Sequence, residues 1–159
     1  MDYTDLTRKI KTLAAQSPDF VSRVAPHAVA VVAASHFKKN FLDEGFEGQK
    51  WPEVQRRMPY FIRNGKTVKN YRKGEARNLR ILTGLNPDGE GIGELGRSLM
   101  PDHTKSTGGK AVVSAREYGK FHNEGDGVPK RQFMGQTEQL NQLISNELDK
   151  QFTKFFSNI

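Results

Sequence analysis

Cysteine is absent from the 159 residues, which removes disulfides, thiolate metal ligation and thiol nucleophiles together. No apolar run approaches the ~20 residues that a bilayer-spanning helix needs. The richest, residues 25–34, is short and carries Pro26 and His27. The chain starts Met-Asp-Tyr-Thr-Asp, without the basic start and apolar segment of a secretory signal. These absences point to a protein made in a reducing cytoplasm, with no membrane partner. Apolar residues make up 35% and charged residues 27%, within a length that suits one domain over residues 1–159.

Patterned chemistry is scarce as well. Of the four histidines, His27 and His36 share one expected helix, and about 900° of rotation puts them on opposite sides. They cannot chelate one ion together. His122-Asn123-Glu124 lies beside glycines as in some metal nucleases, but lacks a second histidine nearby or a dense carboxylate set. The expected role of His122 is a hydrogen-bonded position at a strand end. Gly89-Glu90-Gly91-Ile92-Gly93 lacks the Gly-Lys-Ser/Thr ending of a phosphate loop, and no serine sits in a nucleophile elbow. The expectation is a non-enzyme with no cofactor and no metal.

What the chain does have is a local excess of positive charge. Its net +7 is concentrated between Arg56 and Arg80, where nine basic residues accompany a single acid, Glu75. Tyr60, Phe61 and Tyr71 are interleaved with them, as stacking platforms are on single-strand binders. Two readings stay open: a solvated charged loop, or a nucleic-acid contact through Lys66, Lys69, Arg72 and Lys73.

Leu6, Ile10 and Leu13 follow a helical period, which predicts a short helix over residues 5–15. Ser17-Pro18-Asp19 then combines a capping residue, a tolerated proline and an acid suited to the helix dipole. The helix begun there should run to about Asp43. Val21, Val24, Ala28, Val31, Ser35 and Leu42 form its apolar side, broadened by Phe20, Val32, Phe37 and Phe41. Pro26 should kink it or mark its true start, and Gly45 should stop it. The turn Phe41-x-x-x-Gly45-x-x-Gly48-x-x-Trp51 ends on the lone tryptophan, expected as an internal anchor folded back onto the helix.

Residues 52–78 show weak periodicity and are expected to form a long, partly mobile excursion. Residues 78–83 read as a short strand and residues 84–96 as irregular. Residues 104–109 read as a turn between one strand and another at residues 110–115, with Pro101 keeping the first at an edge or bend. The last helix is the clearest element. Leu140, Leu143, Ile144, Leu148, Phe152, Phe155 and Phe156 fall at spacings of three and four. Phe152, Phe155 and Phe156 crowd one end, serving either the core or a subunit contact.

Between the hairpin and that helix lies YGKFHNEGDGVPKRQFMG, residues 118–135. Its aromatics and histidine lead from a strand into Glu124-Gly125-Asp126-Gly127, a glycine-marked reversal. Pro129 restarts an extended segment in which Arg131 and Phe133 share a face, and Gly135 closes it. This stretch resembles the phage virion morphogenesis family, the tail-completion proteins of tailed phages and prophages. The correspondence runs through Tyr118, Gly119, His122 and Gly125, then Pro129, Arg131, Phe133 and Gly135. The turn Gly45-x-x-Gly48-x-x-Trp51 and the element Gly93-x-Leu95-x-x-Ser98-Leu99, which introduces a strand in the family, resemble it too.

The resemblance covers Phe20 to about Phe156 in order. It implies an α+β fold, with a small antiparallel sheet packed against a long central helix and a C-terminal amphipathic helix. It also implies a structural role at the head-proximal end of a tail, in a ring of copies that joins tail to head. The partners implied are further copies and other tail or neck proteins, first in the host cytoplasm and then in the virion. Nucleic-acid binding through residues 56–80 is the alternative function.

Overall fold

The computed structural model describes residue 15 and residues 17–70, 79–82 and 92–157. The helix expected over residues 5–15 lies almost wholly outside them. The fold is α+β. Among the described residues the strands pair as three separate antiparallel hairpins rather than as one sheet. By contacts the chain divides into two compact units. One holds the described residues up to His36, Met100–Ser114 and those from Gln136 onward. The other holds the described residues of Phe37–Leu99 and Ala115–Gly135.

The long helix α1, Ala25–Asp43, follows a single π-helical turn at Phe20–Val24. Proline at 26 cannot donate to the carbonyl four residues back, and its ring crowds that oxygen. The oxygen belongs to Ser22 and accepts instead from the Gly108 amide at 2.9 Å and the Thr107 hydroxyl at 3.1 Å. The irregularity expected at Pro26 is therefore a widened turn whose orphan carbonyl is satisfied from the residue 102–112 loop.

The buried stripe of α1 corrects the face read from its valines. Of the face read from sequence, Ala28 and Phe41 are buried, but Val31 and Leu42 are exposed and Ala30, Ala33 and Ala34 take the inside instead. The buried residues Ala30, Ala33, Ala34 and Phe41 fall at helical spacing. Alanine lets neighbouring backbone come close, so the smaller residues take the inside.

In the first unit, β5 (Met100–Pro101) pairs with β6 (Val113–Ser114), as the hairpin reading expected. The intervening loop is fixed by Asp102, whose carboxylate accepts from the Thr104 hydroxyl at 2.8 Å and the Lys105 amide at 3.1 Å. The Thr104 hydroxyl, the Lys105 ammonium at 3.1 Å and the Lys105 amide together hold its pKa far below the usual carboxylate range. Helix α4, Glu138–Phe156, starts at Thr137, whose hydroxyl caps the Leu140 amide at 3.0 Å. Phe152, Phe155 and Phe156 gather round the Phe20 ring at 5.5, 5.5 and 5.8 Å.

The second unit holds β1 (Gly45–Phe46), β2 (Gln49–Lys50), β3 (Tyr60–Arg63), β4 (Lys66–Lys69), α2 (Gly93–Arg97) and α3 (Gly119–Glu124). Its largest fully buried side chains are Phe41, Phe133, Leu95 and Leu99. Several sequence readings change here. The chain reverses at Glu44, which takes a left-handed φ of 48°. Gly45 is needed for a different reason: a Cβ there would lie 2.5 Å from the Gln49 carbonyl oxygen. Residues 60–69, expected inside a mobile excursion, form a four-pair hairpin turning on Asn64-Gly65.

The described part of the expected strand at residues 78–83 is irregular, with Leu82 at φ 65°. Its backbone is held by side chains rather than by a ladder. Gly93–Arg97 is helical, because Ile92, Leu95 and Leu99 are buried at spacings of three and four. Gly119–Glu124 is a short helix too, where a strand end was expected.

Candidate functional site

The residues of the Trp51 turn and of the 118–135 stretch meet in the second unit. Trp51 follows β2, and its amide donates to the Glu44 carbonyl at 2.8 Å. Its ring stands edge-on to Phe41 at 5.5 Å and is buried. The indole N–H donates 2.7 Å to the Gln132 carbonyl, 81 residues further along the chain. Phe133, 0% exposed, lies 5.0 Å from Phe41. Trp51 is thus an internal anchor, as the turn predicted.

The extended segment through Phe133 joins no sheet, so its buried backbone groups need side-chain partners. Asn123 Oδ1 accepts from the Phe133 and Met134 amides at 3.0 and 2.9 Å, and Asn40 Nδ2 donates to the Phe133 carbonyl at 2.9 Å. The Arg131 amide donates 2.7 Å to the His122 carbonyl. Gly125 ends α3 at φ 83°, where a Cβ would also lie 2.8 Å from that of Lys130. At Gly135 a Cβ would meet the Phe46 ring at 2.8 Å. Tyr118 precedes α3 and is exposed, as is Pro129, and Gly48 has φ 78° in the β1–β2 turn.

Arg131 and Phe133 share a buried face, as their parity predicted. Arg131 Nη2 donates to the Pro52 carbonyl at 3.3 Å, while its Nε–H has no acceptor. Burial lowers its pKa, with Glu53 opposing. Burial and then the Arg131 charge lower the pKa of His122, whose Nδ1 also lacks a partner.

The basic segment separates into two classes. Arg57 and Arg56 turn inward. Arg57 forms a bidentate pair with Glu44 at 2.8 and 2.5 Å and also reaches the Leu79 carbonyl. Glu44 Oε1 accepts from the Ile81 amide at 2.6 Å. Partial burial opposes ionisation of Glu44, yet the Arg57 and Ile81 hydrogen bonds outweigh it and hold the carboxyl below its usual range. Arg56 Nη2 donates to the carbonyls of Leu79 at 2.9 Å and Arg80 at 2.5 Å, leaving its Nε–H without an acceptor. Burial, then the charge of Arg57, lowers its pKa.

Arg63, Lys66 and Lys69 instead stand exposed on the β3–β4 hairpin, with Arg63 directly opposite Lys66. Tyr71, Arg72, Lys73 and Arg77 lie outside the described residues. The base of the hairpin is closed by Asn70, whose Nδ2 faces the carbonyls of Gln55, Arg56 and Met58 at 2.8–2.9 Å.

Beside this hairpin is a recess of about 790 Å³. Val54, Met58, Tyr60, Phe61, Ile62 and Pro129 give it apolar walls, and Arg56, Arg131 and Glu53 supply its charges. Sequence reasoning missed this recess, although Asn64-Gly65 between two β-prone runs signals the hairpin that walls it.

The first unit has a recess of about 750 Å³ where His27 and His103 meet, their Nδ1 atoms 2.7 Å apart. Separated by 76 positions, the pair carries no local sequence signal. His36 is buried, 3.4 Å from the Thr137 hydroxyl, so it does not share the side of α1 that His27 presents. Among the described residues no group of three or more His, Asp or Glu converges to hold a metal. No helix among them is long and apolar enough to cross a membrane. No protein-family model, curated protein or solved structure matches the chain.

Proposed function

We propose that this chain is a non-enzymatic structural protein of phage or prophage virion morphogenesis, which completes the tail and allows head–tail joining. One observation carries the reading. The strings that resemble the tail-completion family lie some 80 positions apart, yet Trp51 and Gln132 bond directly and both Trp51 and Phe133 pack on Phe41. Their meeting in one buried junction supports reading the two strings as one structural element. Inside that junction Trp51, Asn40 and Asn123 are committed to packing and to backbone carbonyls and amides, as a structural element requires.

Assembly into a ring needs surface to spare. Phe152 is 53% exposed at the end of α4, and Ile62 is 68% exposed on the β3–β4 hairpin. The alternative function, nucleic-acid binding, draws on Arg63, Lys66 and Lys69, which stand in solvent on the same hairpin.

Peptide mass spectrometry of density-purified particles, from the phage or induced prophage that encodes the chain, tests the proposal. The chain should be a constituent of tailed particles at a few to tens of copies, as for a ring. Its absence from particles that contain their tail and portal proteins contradicts the proposal.

A further inference from the structure

In the first unit two metal-ligating side chains meet at the surface. His27 stands in the first turn of α1 and His103 in the loop between β5 and β6, and both are exposed. Their Nδ1 atoms lie 2.7 Å apart. The ring centroids are 4.1 Å apart, with the planes tilted by 23°. Rings lying face to face at that separation would hold their nitrogens farther apart than 2.7 Å. The nitrogen edges are therefore turned toward each other.

The backbone on both sides is anchored independently of the rings. The Ser22 carbonyl accepts from the Gly108 amide and the Thr107 hydroxyl, which ties the loop to the start of the long helix. Within the loop, Asp102 accepts from the Thr104 hydroxyl and the Lys105 amide, bracketing His103. A ligand that used both imidazoles would thus find them already ordered. Both rings line the recess of about 750 Å³, beside Val24, Ala28 and Val31. Arg23 and Glu147 are the charged residues of its described lining, so that lining carries no net charge to oppose a cation. Each is also engaged, Arg23 by Asp19 at 2.6 Å and Glu147 by Gln151 at 2.6 Å.

We propose that His27 and His103 bind a divalent late-transition-metal ion, in the class of Ni²⁺ and Cu²⁺, which clamps the residue 102–112 loop to α1. Imidazole nitrogen is a ligand that such ions favour. Metal–nitrogen bonds of about 2.0–2.1 Å place two nitrogens about 2.9 Å apart at a right angle and about 3.4 Å apart at a tetrahedral one. The observed 2.7 Å is close to the spacing of neighbouring positions in a square-planar or octahedral shell. Both Nδ1 lone pairs go to the ion. The hydrogen that one Nδ1 had carried passes through solvent to Nε2 of the same ring, so both imidazoles stay neutral. Among the described residues no third His, Asp or Glu joins the pair, and water completes the shell on the open side. The proposal concerns this pair alone and does not depend on a virion role.

Isothermal titration calorimetry tests it, with the full, untagged chain and NiCl₂ at about pH 7.5, where an ordinary imidazole is mostly neutral. One Ni²⁺ should bind per chain and saturate below ~1 mM. Mg²⁺, which takes oxygen ligands, should not compete. His27→Ala and His103→Ala should each weaken binding ~10-fold or more, since loss of either ring destroys the chelate. The double variant should bind no more weakly than either single one. Circular dichroism in EDTA checks that the variants, both at exposed positions, keep the fold. Ni²⁺ should raise the melting temperature of the parent and slow exchange of its Gly108 amide, and should do neither in the single variants. No saturable binding up to ~1 mM Ni²⁺ overturns the proposal. So does binding that survives either substitution, or losses that add in the double variant as two separate sites would.

Discussion

Two phenylalanine clusters occur in this molecule, and they are built differently. Around Phe41, the rings of Trp51 and Phe133 are buried, and polar bonds from Asn40, Asn123 and the indole N–H pin the backbone beside them. Around Phe20, the rings of Phe152, Phe155 and Phe156 touch one another, but Phe152 remains half in solvent. The first arrangement has no apolar area left to offer a partner and fixes its backbone by direction-dependent bonds. The second holds by area alone and keeps some in reserve. A high aromatic content at one end of a helix is therefore no measure of how much that end contributes to the fold.

The largest effect that separates the clusters is truncation. Phe133→Ala should destabilise the protein by about 3–5 kcal/mol, because the ring is fully buried among Phe41, Leu95 and Gly119 neighbours that cannot all collapse. Phe152→Ala should cost about 1 kcal/mol, since half of its surface is already wet. Urea denaturation of both variants checks the order, and equal losses break the distinction.

Next in size is Asn123→Ala, which strips the acceptor from two amides at once. A loss of about 2–3 kcal/mol is expected in the same denaturation experiment. A loss under about 0.5 kcal/mol means that water replaces the side chain and the junction is not pinned by it.

A smaller effect sharpens the picture through pH. The Glu44 carboxyl is held below its ordinary value of 4.5 by Arg57 and the Ile81 amide, against partial burial. A depressed folded pKa contributes stability that is fully present above the unfolded pKa and lost as pH falls through the folded one. The melting-temperature gap between the parent and Glu44→Gln should therefore be widest near neutrality and narrow below about pH 4.5. A gap that is constant from neutral to acid pH contradicts this role for the pair.

The smallest expected effect concerns DNA. Because Arg56 and Arg57 are committed internally, fewer than nine cations remain for phosphates. Binding should be weak, independent of sequence and lost by ~150 mM salt. Neutralising Lys66, Lys69, Arg72 and Lys73 together should change little at that salt, as measured by polarisation of labelled duplex. Submicromolar affinity that persists there and disappears in the variant favours the nucleic-acid reading.

The parts of this architecture that can be read from sequence are those coded by short-range pattern. The period of α4, the turn before β6, the reversal at Gly125-Asp126-Gly127 and the common face of Arg131 and Phe133 all belong to that class. Two features were present locally but masked by a louder signal. The Asn64-Gly65 turn was obscured by surrounding charge, and the alanine stripe of α1 by flanking valines that look more apolar. Others have no local code. The Glu44–Arg57–Ile81 network and the His27–His103 pair join positions far apart in the chain. Only the folded backbone brings them together. The same holds for the Ser22 carbonyl, whose partners Gly108 and Thr107 lie more than 80 residues away.

The most direct test of the proposed role is deletion of the gene in the phage or prophage that encodes the chain, followed by negative-stain electron microscopy of the lysate. The account predicts filled heads and separate, unjoined tails, with joining restored by the wild-type chain supplied in trans. Intact infectious particles formed without the chain contradict it.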